Sequence, residues 1–321
     1  MIIPLLLGLA VFLFGMKVME LALHKGAGSK MEHILAITTK TPLRGLLIGT
    51  MVTAILQSSS AVTVMIIGLV NAQLLSYGRT IGVILGTNIG TCLTTELIGL
   101  NIGEIALPLF ITSSCLWMIS FLPIKTPLQH RHYVSLQLFH LVRYGSLATG
   151  GFACILLGME IMKIAVPAMQ SAGLFTWFME HAQQSLVWGV VAGAALTALI
   201  QSGTAAIAIT MSLASMQAIS IEIGIAIVLG VNIGTCITSL IASIGGSRGG
   251  YFVAWTHVLL NIVGAVIFFP LIPLLWYMAA WFSNDSLAQI AHAQTIYNVL
   301  CSFIALPLCY LSIWNKRNKH T

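Results

Sequence analysis

Thr53-Ala54-Ile55-Leu56-Gln57-Ser58-Ser59-Ser60-Ala61 sets four consecutive polar side chains inside an apolar run, which continues as Val62-Thr63-Val64-Met65-Ile66-Ile67. In a bilayer each unpaired polar group costs several kcal/mol, so the tetrad must face a cavity or a ligand. The pattern returns as Thr197-Ala198-Leu199-Ile200-Gln201-Ser202-Gly203-Thr204-Ala205, a shift of 144 positions from Thr53 to Thr197. A polar break duplicated in two apolar segments points to the binding site of a transporter.

The composition places these segments in a membrane. Of 321 residues, 58% are hydrophobic and 7% charged, where a soluble domain carries roughly a quarter charged residues. The length leaves room for about seven to nine apolar segments of ~20 residues. The formal charge of +6 is assigned to loops by the positive-inside rule and does not imply nucleic acid. No basic region precedes the first apolar stretch, which runs to about Leu23, so it reads as a first span and not a cleaved signal. Six cysteines, none in CxxC spacing, suggest neither zinc nor disulfides and read as small apolar fillers.

Residues 2–24 form the first span. A loop with Lys25, Lys30, Lys40 and Arg44 follows, broken at Thr41-Pro42. Residues 43–75 read as a re-entrant helical hairpin turning at Gln57–Ser60, with one long tilted helix as the alternative. Residues 78–100 form a broken helix, interrupted by Gly86-Thr87-Asn88-Ile89-Gly90-Thr91, where two glycines around an asparagine suit unwound backbone. A span at 104–124 completes repeat one (1–124), and 125–143 is a cytoplasmic linker. Repeat two (144–274) holds a span, a hairpin at 188–215, a broken helix at 220–243 and another span. Leu85-Gly86-Thr87-Asn88-Ile89-Gly90-Thr91-Cys92 returns as Leu229-Gly230-Val231-Asn232-Ile233-Gly234-Thr235-Cys236, again 144 on, and Phe14-Gly15-Met16 as Leu157-Gly158-Met159. Two motifs at one offset imply an internal duplication. A final span at 290–313 and a basic tail at 314–321 end the chain.

Charge sets the handedness of the repeat. The loop before the first hairpin holds four basic residues; its counterpart, 164–187, holds no Lys or Arg. Equivalent loops therefore face opposite sides. The expected fold is an all-α polytopic membrane protein of two inverted-topology repeats, with about seven crossings, the N-terminus outside and the C-terminus cytoplasmic.

Hairpins entering from opposite faces bring their tips together near the midplane. Helix N-termini offer free N–H groups and partial positive charge to an anion. Serine and threonine hydroxyls add donors, and acceptors for a hard cation. A site of neutral dipoles needs a co-bound cation, and hydroxyls with unwound carbonyls suit Na⁺. Glu96 is a membrane-depth carboxylate, and such groups are functional by default. Lys17/Glu20 and Glu160/Lys163 are i,i+3 ion pairs with signs exchanged. His257, spaced i,i+4 from Asn261, reads as an inter-helix hydrogen-bonding contact.

The doubled QSSS-type and GxNIGT motifs, in this order, resemble the sodium/phosphate cotransporter type II family over nearly the whole chain. The resemblance implies sodium-coupled inorganic phosphate symport at the plasma membrane, by alternating access. Carried over residue by residue, it implies substrate binding by Gln57, Ser58, Ser59, Ser60, Gln201, Ser202 and Thr204. Sodium binding falls to Thr53, Asn88, Thr91, Thr197, Asn232 and Thr235, with Glu96 a coupling candidate. The second tetrad departs from the pattern at Gly203, one hydroxyl short, and Gln294 stands where the family often has His. Many bacterial members carry a PhoU-like domain; a separate PhoU-like regulator is the expected partner. Other readings are a carrier of another small oxyanion or a dicarboxylate, or a membrane scaffold or sensor for phosphate regulation. No nucleophile–base–acid set appears that would suggest an enzyme.

Overall fold

A computed structural model describes residues 2–72, 74–121, 132–244 and 248–311. The basic tail, and Lys125 to Arg131 of the linker, lie outside the described residues. Secondary structure among the described residues is helical. Among the described residues, six stretches are long and apolar enough to cross a membrane: Ile3–Gly28, Tyr77–Gly99, Phe139–Gln170, Ile221–Ser243, Arg248–Ala280 and Ser286–Tyr310. This makes the protein a multi-pass membrane protein. The span expected at 104–124 is described as far as residue 121: a 3₁₀ turn (Gly103–Ile105) runs into α6 (Ala106–Ile119), an apolar stretch shorter than those six.

The chain divides into two compact units, residues 1–30 with 102–165, and residues 31–101 with 166–321. The first is built on α1 (Ile2–Thr38) and α7 (His132–Gln170). Both outrun expectation. The loop expected after residue 24 continues as helix because no proline interrupts 25–38. The linker is likewise already helical from His132.

Within this first unit α1 and α7 approach backbone to backbone. A Cβ added at Gly8 would lie 2.7 Å from the Gly158 carbonyl, and one at Gly15 would lie 2.5 Å from that of Gly151. Contacts 8 with 158 and 15 with 151 mean the helices run antiparallel. The glycines themselves are repeat-related, since 8 maps to 151 and 15 to 158 by one shift of 143. One pair is therefore the image of the other. The same shift relates Lys17–Glu20, bridged at 3.0 Å, to Glu160–Lys163, bridged at 2.7 Å.

The second unit holds two helix–turn–helix elements. Thr41 caps α2 (Pro42–Leu56), accepting from the Arg44 N–H, and Pro42 opens the helix where its missing N–H costs nothing. Gln57 then adopts the left-handed region (φ 55°, ψ 27°), and its N–H closes on the Thr53 carbonyl at 2.8 Å. Ser58, extended, caps α3 (Ser59–Asn71) by accepting from the Ala61 N–H. The sequence repeats this geometry 144 residues on. α9 (Val187–Ile200) ends at Gln201 (φ 57°, ψ 26°), whose N–H bonds the Thr197 carbonyl at 2.7 Å. Ser202 then caps α10 (Gly203–Ser215). A non-glycine residue in this region costs on the order of 1–3 kcal/mol, and such strain clusters at functional sites.

Each element packs on a long kinked helix. α4 (Tyr77–Gly90) continues as α5 (Cys92–Gly99), and α11 (Ile221–Gly234) as α12 (Cys236–Ser243). The unwound stretch expected around Asn88 and Asn232 is absent. Only Thr91 and Thr235 interrupt the helices, and both keep right-handed dihedrals. The glycines serve a different end. Gly82, Gly86 and Gly90 line one face of α4 and admit the backbone of α2; Gly230 and Gly234 do the same for α9 on α11. Small residues four apart are the usual device for close helix contact in membranes. The unit is completed by α8 (Gly173–Gln184), α13 (Arg248–Phe268), α14 (Ile272–Ala280) and α15 (Ser286–Ala305).

Candidate functional site

The two turns and the two kinks surround one cavity of about 50 Å³. Water needs roughly 10–15 Å³ on the same measure, so the space suits a few waters or one small oxyanion. The first repeat contributes Ser59, Asn88 and Thr91 to its lining; the second contributes Gly203, Thr204, Asn232 and Thr235 with Ile207 and Val231. His257 on α13 and Gln294 on α15 complete it. No Lys, Arg, Asp or Glu is among them. Ser59 and Gly203 are the first residues of α3 and α10, so both helix N-termini meet the cavity, where free N–H groups and the macrodipole favour an anion.

Six of the residues expected at the site thus converge: Ser59, Thr204, Asn88, Thr91, Asn232 and Thr235. Ser58 and Ser202 instead use their hydroxyls as caps; Ser58 Oγ also lies 3.3 Å from Ser60 Oγ. Gln57 accepts from the Thr94 hydroxyl and donates to the Ala54 carbonyl, tying the first turn to α5. Ser60 and Gln201 are exposed. Glu96 lies outside the cavity. His292 Nδ1 stands 2.8 Å from its carboxylate, and the Thr295 hydroxyl donates to it.

Thr53 and Thr197 have a distinct environment. Both hydroxyls are buried without a hydrogen-bond partner, alone in this among the described side chains. A buried unpaired hydroxyl costs about 1–3 kcal/mol, and here the cost recurs at repeat-related positions. Each threonine also supplies the carbonyl that holds the left-handed glutamine beyond it. Two orphaned oxygens fit the donor chemistry of a hard cation. The carbonyls of Asn88 and Asn232 are less free than the sequence suggested: they accept from Thr91 Oγ1 at 2.8 Å and Thr235 Oγ1 at 2.7 Å.

Sequence reasoning did not bring His257 and Gln294 into the site. His257 Nε2 lies 3.2 Å from Asn88 Oδ1, and Asn88 Nδ2 donates to Asn261 Oδ1 at 2.8 Å. Gln294 Oε1 accepts from Thr95 Oγ1 at 2.6 Å. The available signal was the i,i+4 pattern His257/Asn261, which returns as Gln294/Asn298.

A multi-pass helical protein with a duplicated turn, a duplicated kink and a small charge-free polar cavity defines the class of membrane transporters with sites at broken or turned helices. The chain belongs to the Na+/Pi-cotransporter family, whose profile matches it twice, over residues 11–163 and 154–303. It is 31% identical over 300 residues to "Uncharacterized protein YqeW" of Bacillus subtilis, covering 94% of this chain and 92% of that one. It is 23% identical over 309 residues to "Putative inorganic phosphate export protein YjbB" of Escherichia coli, covering 95% of this chain but 53% of that one. A stretch of 101 residues, 30% of this chain and 16% of the other, is 34% identical to "Sodium-dependent phosphate transport protein 2A" of Rattus norvegicus. No solved structure matches.

Proposed function

We propose that this protein is a secondary active transporter that moves inorganic phosphate coupled to sodium, by alternating access between two inverted halves in the plasma membrane. The observation that carries the reading is the cavity itself. Both halves contribute to it, two helix N-termini meet it, and neutral hydroxyl, amide and imidazole groups line it. Such a site can bind an oxyanion, but it supplies no formal positive charge to offset the anion. The orphaned Thr53 and Thr197 hydroxyls provide places for a hard cation to do so. The antiparallel, image-related packing of α1 on α7 supports inversion of the repeat, and the turns at Gln57 and Gln201 then read as tips of re-entrant hairpins. Gln57, Ser58, Ser202 and Gln201 shape those tips, and Ser59 and Thr204 face the anion.

Radiolabelled phosphate uptake into proteoliposomes tests this. Replacing sodium by choline is expected to reduce uptake nearly to the protein-free level. Undiminished uptake under a proton gradient alone would reject sodium coupling and move it to a protonatable group, Glu96 first. A carrier site works in either direction, and the name of the Escherichia coli relative favours outward flux as the second reading. Efflux from phosphate-loaded vesicles under a reversed sodium gradient measures it.

Ser59→Ala removes a cavity hydroxyl that belongs to neither cap. A hydrogen bond to a charged group is worth on the order of 1.5–3 kcal/mol, so the half-saturating phosphate or sodium concentration is expected to rise roughly ten- to hundredfold. Unchanged kinetics at normal yield would place the ligand elsewhere.

A further inference from the structure

α13 and α15 carry one pattern 37 residues apart: Ala254, His257 and Asn261 on the first, Ala291, Gln294 and Asn298 on the second. Each helix docks on a short helix beyond a kink in the same way. Asn261 Nδ2 reaches Cys236 Sγ at 3.2 Å, and Asn298 Nδ2 reaches Cys92 Sγ at 3.3 Å. His257 Nδ1 faces Ser239 Oγ at 2.7 Å, as Gln294 Oε1 faces Thr95 Oγ1 at 2.6 Å. Cys92 and Cys236 are repeat-related, and so are Thr95 and Ser239. His257 and Gln294 are therefore counterparts across the cavity that both line.

Hydrogen bonding places a hydrogen on one imidazole nitrogen. Asn88 Nδ2 donates to Asn261 Oδ1, so Asn88 Oδ1 is the atom that faces His257 Nε2. That oxygen only accepts, so Nε2 carries a hydrogen. In the neutral ring this leaves Nδ1 to accept from the Ser239 hydroxyl. In this neutral tautomer the ring does what the Gln294 amide does. It accepts from a hydroxyl on the short helix behind it and offers N–H forward. Asn88 keeps one Nδ2 hydrogen not used by Asn261, and Asn88 lines the cavity.

We infer that His257 is a positioning and specificity residue of the anion site: as a neutral N–H donor it holds the Asn88 carboxamide so that its remaining N–H points at the bound oxyanion. The inference rests on the phosphate reading above. A cationic ring would bind any anion by charge. A neutral donor relay instead selects by the geometry of the oxygens, in keeping with a lining that has no formal charge.

The test is phosphate-dependent uptake in proteoliposomes at several pH values, for wild type, His257→Gln, His257→Leu and Ser239→Ala, each checked for monodisperse elution. His257→Gln copies Gln294 and is expected to keep KM within about threefold of wild type, with an unchanged pH profile. His257→Leu releases Asn88 from its position at the anion and is expected to raise the phosphate KM roughly ten- to hundredfold at similar maximal rate, the loss of the Asn88 hydrogen bond to a charged ligand. Ser239→Ala leaves the ring in place but frees its orientation, so a smaller KM rise is expected; it serves alone should His257→Leu not fold. Unchanged KM in Ser239→Ala and in any folded His257→Leu would overturn the inference, and so would loss of maximal rate at constant KM. A pH profile altered in His257→Gln would overturn the neutral tautomer. Absence of phosphate uptake by wild type would instead reject the transport reading, and the inference with it.

Discussion

Gly203→Ser is expected to weaken transport roughly ten- to hundredfold, although it restores the hydroxyl that the first tetrad carries at Ser59. The sequence leaves two outcomes open: a gained ligand, or loss of a glycine that the turn or close approach to the ligand needs. The geometry also favours loss, through a collision. A Cβ at Gly203 would lie 2.7 Å from the Thr235 methyl and 3.3 Å from Val231 Cγ1. Thr235 cannot simply turn away, because its hydroxyl donates to the Asn232 carbonyl at 2.7 Å. Overpacking of this kind costs about 1–3 kcal/mol, and here it falls on two residues of the cavity wall. Thr235→Ser removes only the offending methyl and keeps the hydroxyl. The double variant Gly203→Ser/Thr235→Ser should therefore recover uptake to within about threefold of wild type, while Gly203→Ala alone should fail as Gly203→Ser does. Failure of the double variant to recover would remove the steric account. Wild-type uptake by Gly203→Ser alone would show that the missing hydroxyl has no bearing on the site.

This asymmetry marks how far the sequence is legible. The position of the turns is readable, because four polar residues in a row cannot continue an apolar helix surface, and the 144-residue echo repeats the signal. The convergence of Ser59, Thr204, Asn88, Thr91, Asn232 and Thr235 on one cavity follows from the same duplication. The role of the motif glycines is not readable. Gly86 and Gly90 beside Asn88 suggest freed backbone, yet they serve to bring α4 against α2, and the carbonyl of Asn88 is spoken for by Thr91. Local composition cannot separate a glycine kept for its dihedrals from one kept for its missing side chain. His257 and Gln294 were hidden for another reason. Each lies on a helix far in sequence from the turns, and only tertiary packing carries it to the cavity. The length of α1 was missed because basic residues at 25 and 30 look like a loop, although no proline stands there to break the helix.

Gly86→Ala is expected to have the largest effect on the fold itself, out of proportion to one added methyl. The new Cβ would overlap the Leu46 carbonyl oxygen and lie 2.7 Å from the Thr50 nitrogen. These are backbone atoms of α2 and cannot move without the helix. The repeat-related Gly230 faces α9 in the same way, overlapping the Val190 carbonyl and lying 2.9 Å from the Ala194 nitrogen. Either substitution must force a helix pair apart, at a cost at or above the ~1–3 kcal/mol typical of overpacking. It would also shift Asn88 or Asn232, two turns or less along the same helix, relative to the facing α3 or α10. Gly68, inside α3, is the control. Nothing lies within 4 Å of its absent Cβ, so Gly68→Ala should gain the ~0.5–1 kcal/mol by which alanine exceeds glycine in a helix. The thermal midpoint of the detergent-purified protein separates the cases. Gly86→Ala and Gly230→Ala should lower it by several degrees or leave no monodisperse protein, and uptake should fall with it. Gly68→Ala should match or exceed wild type. Equal behaviour of all three would mean that the glycine stripes do not hold α2 on α4 or α9 on α11.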